Sequence, residues 1–441
     1  MATEVAVING SSGVQTFYST YSAARKAASS GDTIQIWADL TGEQILLKDG
    51  VDIWMAPGRV IDMNDEMPTI TDGDTVTCNI FGNGIIKNSY NGVTDNRYEC
   101  ILITDSASKI SIQCDYIEGI GAVYSPSSDA NQGYSIFVNG VSSSQKFHLS
   151  CNKVINKNNS AIIFALSSEE TPTNDINIRV QTVLTGISGQ SGTGRTAMEL
   201  TGTGYVDIDE IICLYKGSCF IHKSGNLVTS ILKMTTSDQD RPALSVGEGD
   251  GTQNLTLYFD EIQNTSSGDG VKVAQGIVKL IGRRIYSGSG LSIDLASNAE
   301  CLVDEIISGT KGIYIHNSSS QKVIVDSNYI EGGNGNSGVI KSDSGSNYVL
   351  RNAKIKNTAT SSPSIGIYIP DGGTNNQTIE IENLIIVTAT GVSDFSIYRD
   401  GSNDIHIKNL TLFVKKDISG HVKLDIGDED NFKYIVSNDI T

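Results

Sequence analysis

Three successive stretches, NLTLYFDEI (254–262), GIVKLIGRRI (276–285) and AECLVDEI (299–306), end alike: apolar and polar residues alternate, and two polar or charged residues precede a closing isoleucine. Alternation with a period of two marks a strand that buries one face. The ending recurs along the chain. Its closing residues are Ile117, Val154, Val183, Ile211, Met234, Ile262, Ile285, Ile306, Ile330, Ile355, Leu384 and Leu410; after a first gap of 37 the spacings lie between 21 and 29. A repeat of that length holding two or three short strands fits one turn of a stacked coil. Five residues before every anchor except Met234 stand Ile112, Leu149, Ile178, Val206, Leu257, Leu280, Cys301, Val325, Leu350, Ile379 and Ile405, all apolar. A column of this kind is what a dry interior needs when turns stack in register.

The residue just before the anchor reads Glu210, Lys233, Glu261, Arg284, Glu305 over five turns. Alternating signs at directly stacked positions pair, whereas like signs would repel, so these five are read as a structural charge ladder. The acidic dipeptides Asp209-Glu210, Asp260-Glu261 and Asp304-Glu305 belong to it and are not taken as catalytic. After most anchors a Gly/Asn/Ser turn leads to a second short strand, as in GVKVA (270–274), GLSIDL (290–295), GIYIH (312–316), GVIK (338–341) and GIYI (366–369). Glycine accepts the positive φ such turns require, and Asn and Ser bond the local backbone. In these second strands Tyr314, Ile340 and Tyr368 are expected to face outward as an apolar and aromatic stripe beside Asp371, Asn375, Asp400 and Asn403. The stripe would touch a glycan or another subunit.

Composition narrows the function. In 441 residues, 32 basic against 50 acidic side chains leave a charge of −18. A protein that tracks nucleic-acid backbone needs basic groups to replace phosphate counterions, so no nucleic-acid partner is expected. No run approaches the ~18 apolar residues of a membrane helix, and MATEVAVINGSSG has neither the basic start nor the apolar core of a secretory signal. No membrane partner is expected. Cysteines 78, 100, 114, 151, 213, 219 and 301 form no CxxC motif. A zinc site is thus unsupported. Cys114 and Cys151 fall three before their anchors and should look inward on neighbouring turns, either packing as small hydrophobes or bonding. The histidines (148, 222, 316, 406, 421) lack metal-ligand spacing, and glycine-rich segments lack phosphate-loop patterns. No metal and no cofactor is expected, although an Asp-bearing turn such as GEGDG (247–251) could take calcium.

Near the start, Phe17, Tyr21, Ala24 and Ala28 share a helical face, stopped by Ser29-Ser30-Gly31-Asp32. An amphipathic helix there would cap the first turn, with Trp37 and Trp54 packing around it. The helix, then SGDTIQIWADLTGEQILLKDGVDIWMAPG (30–58), then stacked turns, resembles right-handed parallel β-helix proteins of the pectin-lyase-like group, which includes bacteriophage tailspikes and tail fibres. The resemblance covers about residues 15–415 and is architectural. It implies an all-β, right-handed parallel β-helix solenoid with a short N-terminal capping helix, divided as 1–32 (N-terminal segment and helix), 33–415 (β-helix) and 416–441 (C-terminal cap).

The resemblance also implies contact with polysaccharide but assigns no catalytic residue. Pectate-lyase-like WxDH and RxPxxR segments are absent, Arg241-Pro242 continuing as Ala-Leu-Ser; of the polygalacturonase-like NTD, DD, GHG and RIK blocks only Gly420-His421 has a trace, followed by Val422. The expectation is a virion tail fibre or tailspike protein, made in the host cytoplasm, that binds a host cell-surface polysaccharide through the side of the coil, as a homotrimer attached to other virion proteins. The alternatives are a polysaccharide depolymerase, hydrolase or lyase, whose carboxylate pair leaves no linear motif, and a non-enzymatic structural or adhesive surface protein.

Overall fold

The computed structural model describes residues 4–64, 69–70, 75–90, 99–103, 107–120, 133–141, 145–166, 175–186, 196–214, 217–247, 253–318, 320–333, 338–343, 345–359, 365–369, 378–387, 395–399, 404–414 and 432–436. Among them one segment is helical and nearly all other regular structure is strand, paired mostly in parallel. The chain divides into two compact units, residues 1–231 with 249–252, and residues 232–248 with 253–441.

In the first unit, strands Lys109–Gly119, Lys146–Asn156, Asp175–Thr185 and Thr203–Cys213 form one parallel ladder. Between them in sequence come Ile136–Val141, Ile162–Leu166 and Met198–Thr201, which form a second ladder. Burial explains the register. Ile112, Leu149, Ile178 and Val206 are direct partners and all at most 2% exposed, and Ile117, Val154, Val183 and Ile211 stack likewise. Burying such a side chain contributes about 1.5–3 kcal/mol. A one-residue slip would turn both columns toward water.

Where a strand of the first ladder ends, its last inward position holds a small or polar residue. In the first unit Asn88 and Asn156 flank Gly119, and Thr185 and Cys213 follow in register. Asn156 is wholly buried. Its Nδ2 donates to the Gly133 carbonyl (2.6 Å), and its Oδ1 accepts from the backbone N–H groups of Asn158 (3.1 Å) and Asn159 (2.6 Å). Asn88 serves the Glu99 carbonyl in the same way, and in the second unit Asn264 serves Arg241 and Asp269 and Asn357 serves Ile365. A chain that turns between ladders leaves buried backbone groups unpaired, and one carboxamide supplies both donor and acceptor to them.

The N-terminal segment is more elaborate than expected. Val5–Ile8 pairs antiparallel with both Gln15–Tyr18 and Thr33–Ile36, so Phe17 lies in a strand, half exposed, and not on the helix. The helix runs Tyr21–Ala27, with the Thr20 side chain accepting from the Ala23 N–H. Tyr21, Ala24 and Ala28 are buried as the spacing requires. The Tyr21 hydroxyl and Arg25 Nε donate to the Leu46 carbonyl, and Lys48 donates to the carbonyls of Arg25 and Ala28 at the helix end. Asp32, expected only to stop the helix, is 7% exposed and accepts from Asn9, Gly10 and Ser29. Trp37 and Trp54 stack edge to face, centroids 4.8 Å apart.

In the second unit Gln253–Asn264, Ile277–Ser287 and Asn298–Ser308 lead one parallel ladder, and Leu244–Val246, Val271–Val273, Ile293–Leu295, Ile313–Ile315, Ile340–Ser342 and Ile365–Ile369 make the other. Ile262, Ile285, Ile306, Ile330 and Ile355 stack as direct partners, each fully buried. At the next step the register moves by two: Leu350 faces Ile381, not Ile379, and Ile355 faces Ile386, not Leu384. An even shift keeps the same face inward, and all six residues are buried. Phe259 stands in register above Gly282, whose missing side chain makes room for the ring. Of the segment 416–441 only 432–436 lies within the described residues, a strand parallel to Asp404–Val414.

The charge ladder is present where the second unit describes it. Arg284 pairs in register with Glu261 and Glu305, with Nη1 3.5 Å from Glu261 and Nε 3.8 Å from Glu305. Beside it Arg283 makes a two-pronged bond to Asp260 (2.7 and 3.1 Å), which holds that carboxyl below its ordinary range. Asp304 accepts from Asn328 Nδ2. These acids are engaged in structural pairs. Glu210 stands opposite Thr182 in the first unit, and Lys233 lies on Phe220–Thr236.

Candidate functional site

The outward residues of the first unit's main ladder form two polar columns. Gln113, Ser150, Arg179 and Asp207 are partners in direct register. Two residues on stand Asp115, Asn152, Gln181 and Asp209, where the ladder skips a rung because residues 115 and 116 both face outward and the alternation breaks. Asn152 Nδ2 donates to Asp115 Oδ1 (2.6 Å). The two columns line a groove of about 530 Å³, with the paired cysteines Cys114 and Cys151 also on its wall. Four strands at ~4.8 Å spacing give it a length of roughly 14 Å. Amides, a hydroxyl, a guanidinium and three carboxylates converge there. Such planar donors and acceptors can bond vicinal hydroxyls, and the carboxylates can give or take protons.

Apart from Asp209, assigned in the sequence to the charge ladder, and the two cysteines, the sequence reading does not single these residues out, although a signal exists. Position minus four from the anchor is polar in the first unit (Gln113, Ser150, Arg179, Asp207), whereas in the second it begins Tyr258, Ile281, Leu302. The latter three stack in register as an apolar stripe, with Tyr258 48% exposed. Nearby, Ile277, Val278 and Ile324 line a cleft of about 500 Å³.

The second strands of the second unit place the expected outer stripe differently. Register runs Lys272, Asp294, Tyr314, Lys341, Tyr368, Tyr398. Ile340, expected to face outward, is buried; Ser292 in the preceding turn is buried as well. In Gly-Val-Ile-Lys both Val339 and Ile340 enter the core, and Lys341, whose ammonium would be costly to bury, takes the outward place. Asp371, Asn375, Asp400 and Asn403 lie outside the described residues, as do His421 and residues 248–251 of the candidate calcium turn. Among the described residues no cluster of three His, Cys, Asp or Glu side chains could hold a metal ion, and no helix is long and apolar enough to cross a membrane.

Tyr314 and Tyr368 do lie in one column, but Tyr314 is already engaged. His316 stacks on its ring with centroids 4.8 Å apart, Lys341 Nζ sits 4.9 Å from the ring centre, and its hydroxyl donates to Asp343 (2.5 Å). Burial and that bond push the Tyr314 hydroxyl above its usual range. His316 Nε2 lies 2.7 Å from Asp294 Oδ1, a contact that raises the imidazole pKa against the opposing effect of burial. A raised folded value means the interaction stabilises the protein fully below the ordinary imidazole range near pH 6.5 and is lost as pH rises through the folded pKa. The His316 ring should therefore titrate above the ordinary value by NMR, and in Asp294→Asn its midpoint should fall; an unchanged midpoint would remove Asp294 as the cause.

No protein-family model, no curated protein and no solved structure matches this chain.

Proposed function

We propose that this chain is a right-handed parallel β-helix and serves as a phage tail fibre or tailspike protein that holds a host cell-surface glycan in the groove between the Gln113 and Asp115 columns. The observation that carries the reading is the groove itself: two registered columns of hydrogen-bonding side chains along four parallel strands. A glycan chain is a repeating hydroxyl-rich ligand, and a repeating rigid surface meets it without ordering loops first. In-register parallel strands that alternate between two ladders support the β-helix, and the virion context rests on the sequence resemblance. Trimer formation is supported by the Tyr258, Ile281 and Leu302 stripe, in which Tyr258 is exposed and the other two are half-buried, since apolar area of this kind is usually covered. Particle mass in solution tests it: three copies of the 47.1 kDa chain are expected, and a lone copy would refute the trimer.

Binding is tested by titrating capsule and lipopolysaccharide oligosaccharides into the full chain. Arg179→Ala with Asn152→Ala should weaken retention at least tenfold, while Tyr314→Ala with Tyr368→Ala leaves it unchanged. The reverse result would move the site to the second unit, and no retention of any glycan by the folded wild type would end the reading. A second reading, cleavage, is favoured by Asp115, Asp207 and Asp209 lining one groove, since glycoside hydrolysis needs one carboxyl to protonate the leaving oxygen and another to act as base or nucleophile. Shortened glycan chains after incubation, abolished in Asp207→Asn or Asp209→Asn, would establish it.

A further inference from the structure

The groove wall contains a pair of groups that glycan binding does not use. Cys114 and Cys151 are direct partners on neighbouring parallel strands, and their sulfurs lie 3.8 Å apart. Neighbouring strands hold Cα atoms ~4.8 Å apart, within the ~4.4–6.8 Å span that a disulfide bridges. Beyond Cys151 the same column continues with Val180 and then Ile208, so the site is part of the inward stack. Yet both cysteines also line the groove, at 5% and 6% exposure, and the groove gives a small reagent a route to them.

We infer that Cys114 and Cys151 are a reversible oxidation site, closing a disulfide between adjacent strands when the folded protein passes from a reducing to an oxidising thiol–disulfide medium. The route begins when Cys151 loses its proton, Cys114 donating its own to Cys151 Sγ in the resting pair. The Cys151 thiolate attacks one sulfur of oxidised glutathione, forms a mixed disulfide and expels one glutathione thiolate. Cys114 then loses its proton, displaces the second glutathione and forms the Cys114–Cys151 bond. Two thiols and one oxidised glutathione thus become one protein disulfide and two reduced glutathiones, with two electrons passing to glutathione. The bond closes a loop through residues 115–150, which restricts the unfolded chain.

The test incubates the full folded chain with oxidised glutathione, quenches it in acid, alkylates it under denaturing conditions and maps its peptides without reduction. Two of the seven thiols should escape alkylation, in one cross-linked peptide joining positions 114 and 151, and dithiothreitol should restore them. The oxidised protein should unfold several degrees above the reduced one, a shift missing from Cys151→Ser. Seven alkylated thiols, glutathione retained on Cys151 without closure, or a bridge to any other cysteine would each overturn the inference. Because the readout is a peptide map, it is independent of whether any glycan binds.

Discussion

Replacing Asn156 by leucine should destabilise the first unit by about 3 kcal/mol or more, although the two side chains are nearly equal in size and the site is wholly buried. Hydrophobicity alone would predict a gain. The substitution instead strands the Gly133 carbonyl and the N–H groups of Asn158 and Asn159, which the carboxamide now pairs, together with the weaker contact to Ser135 Oγ at 3.3 Å. Each buried polar group left unpaired costs about 1–3 kcal/mol, so the loss outweighs the transfer gain of the leucine. Hydrogen exchange at the amides of residues 158 and 159, followed through a urea series, reads the effect locally. Asn177→Leu, on an outward position of the same ladder, should shift the transition by less than ~0.5 kcal/mol. Equal effects at 156 and 177 would mean that the internal asparagine is no more than a filler.

The second large effect is expected at Gly282. A methyl group there would come 2.5 Å from the Phe259 carbonyl oxygen and 2.6 Å from its ring carbons. Neither neighbour can yield freely, because the carbonyl belongs to the ladder and the ring is 7% exposed. Gly282→Ala should cost about 2 kcal/mol, within the usual range for forcing extra atoms into a packed interior. Phe259→Leu in the same chain should recover the part due to the ring and leave the part due to the carbonyl. A double-mutant cycle in thermal unfolding separates the two, and strict additivity would show that ring and methyl never meet.

The sequence is most legible where one constraint repeats many times. The inward columns and the Glu261, Arg284, Glu305 ladder could be read because burial and charge pairing each impose a rule at every turn, and the structure places these residues as partners. Short strands are another matter. Ile340 was misplaced because three residues offer too few alternations to fix a phase, and GVIK puts two apolar residues side by side. The sequence does not single out the inward asparagines, since composition does not tell a carboxamide facing water from one that feeds buried backbone. Val5–Ile8 and Gln15–Tyr18 were missed because their antiparallel pairing occurs outside the repeat. The polar groove needed the outward residues to be tabulated by register, which becomes informative only after the inward ones are aligned.

The two-residue displacement between Tyr348–Arg351 and Thr378–Val387 bears on how such a chain tolerates length change. Insertion or deletion of an even number of residues within a strand leaves every side chain on its own side, whereas an odd change would send the leucines and isoleucines to water. Turn segments carry no such parity. Descendants of this gene should therefore accumulate gaps of any size between strands but only paired gaps inside them, and comparison of its repeats should score the two regions by different rules.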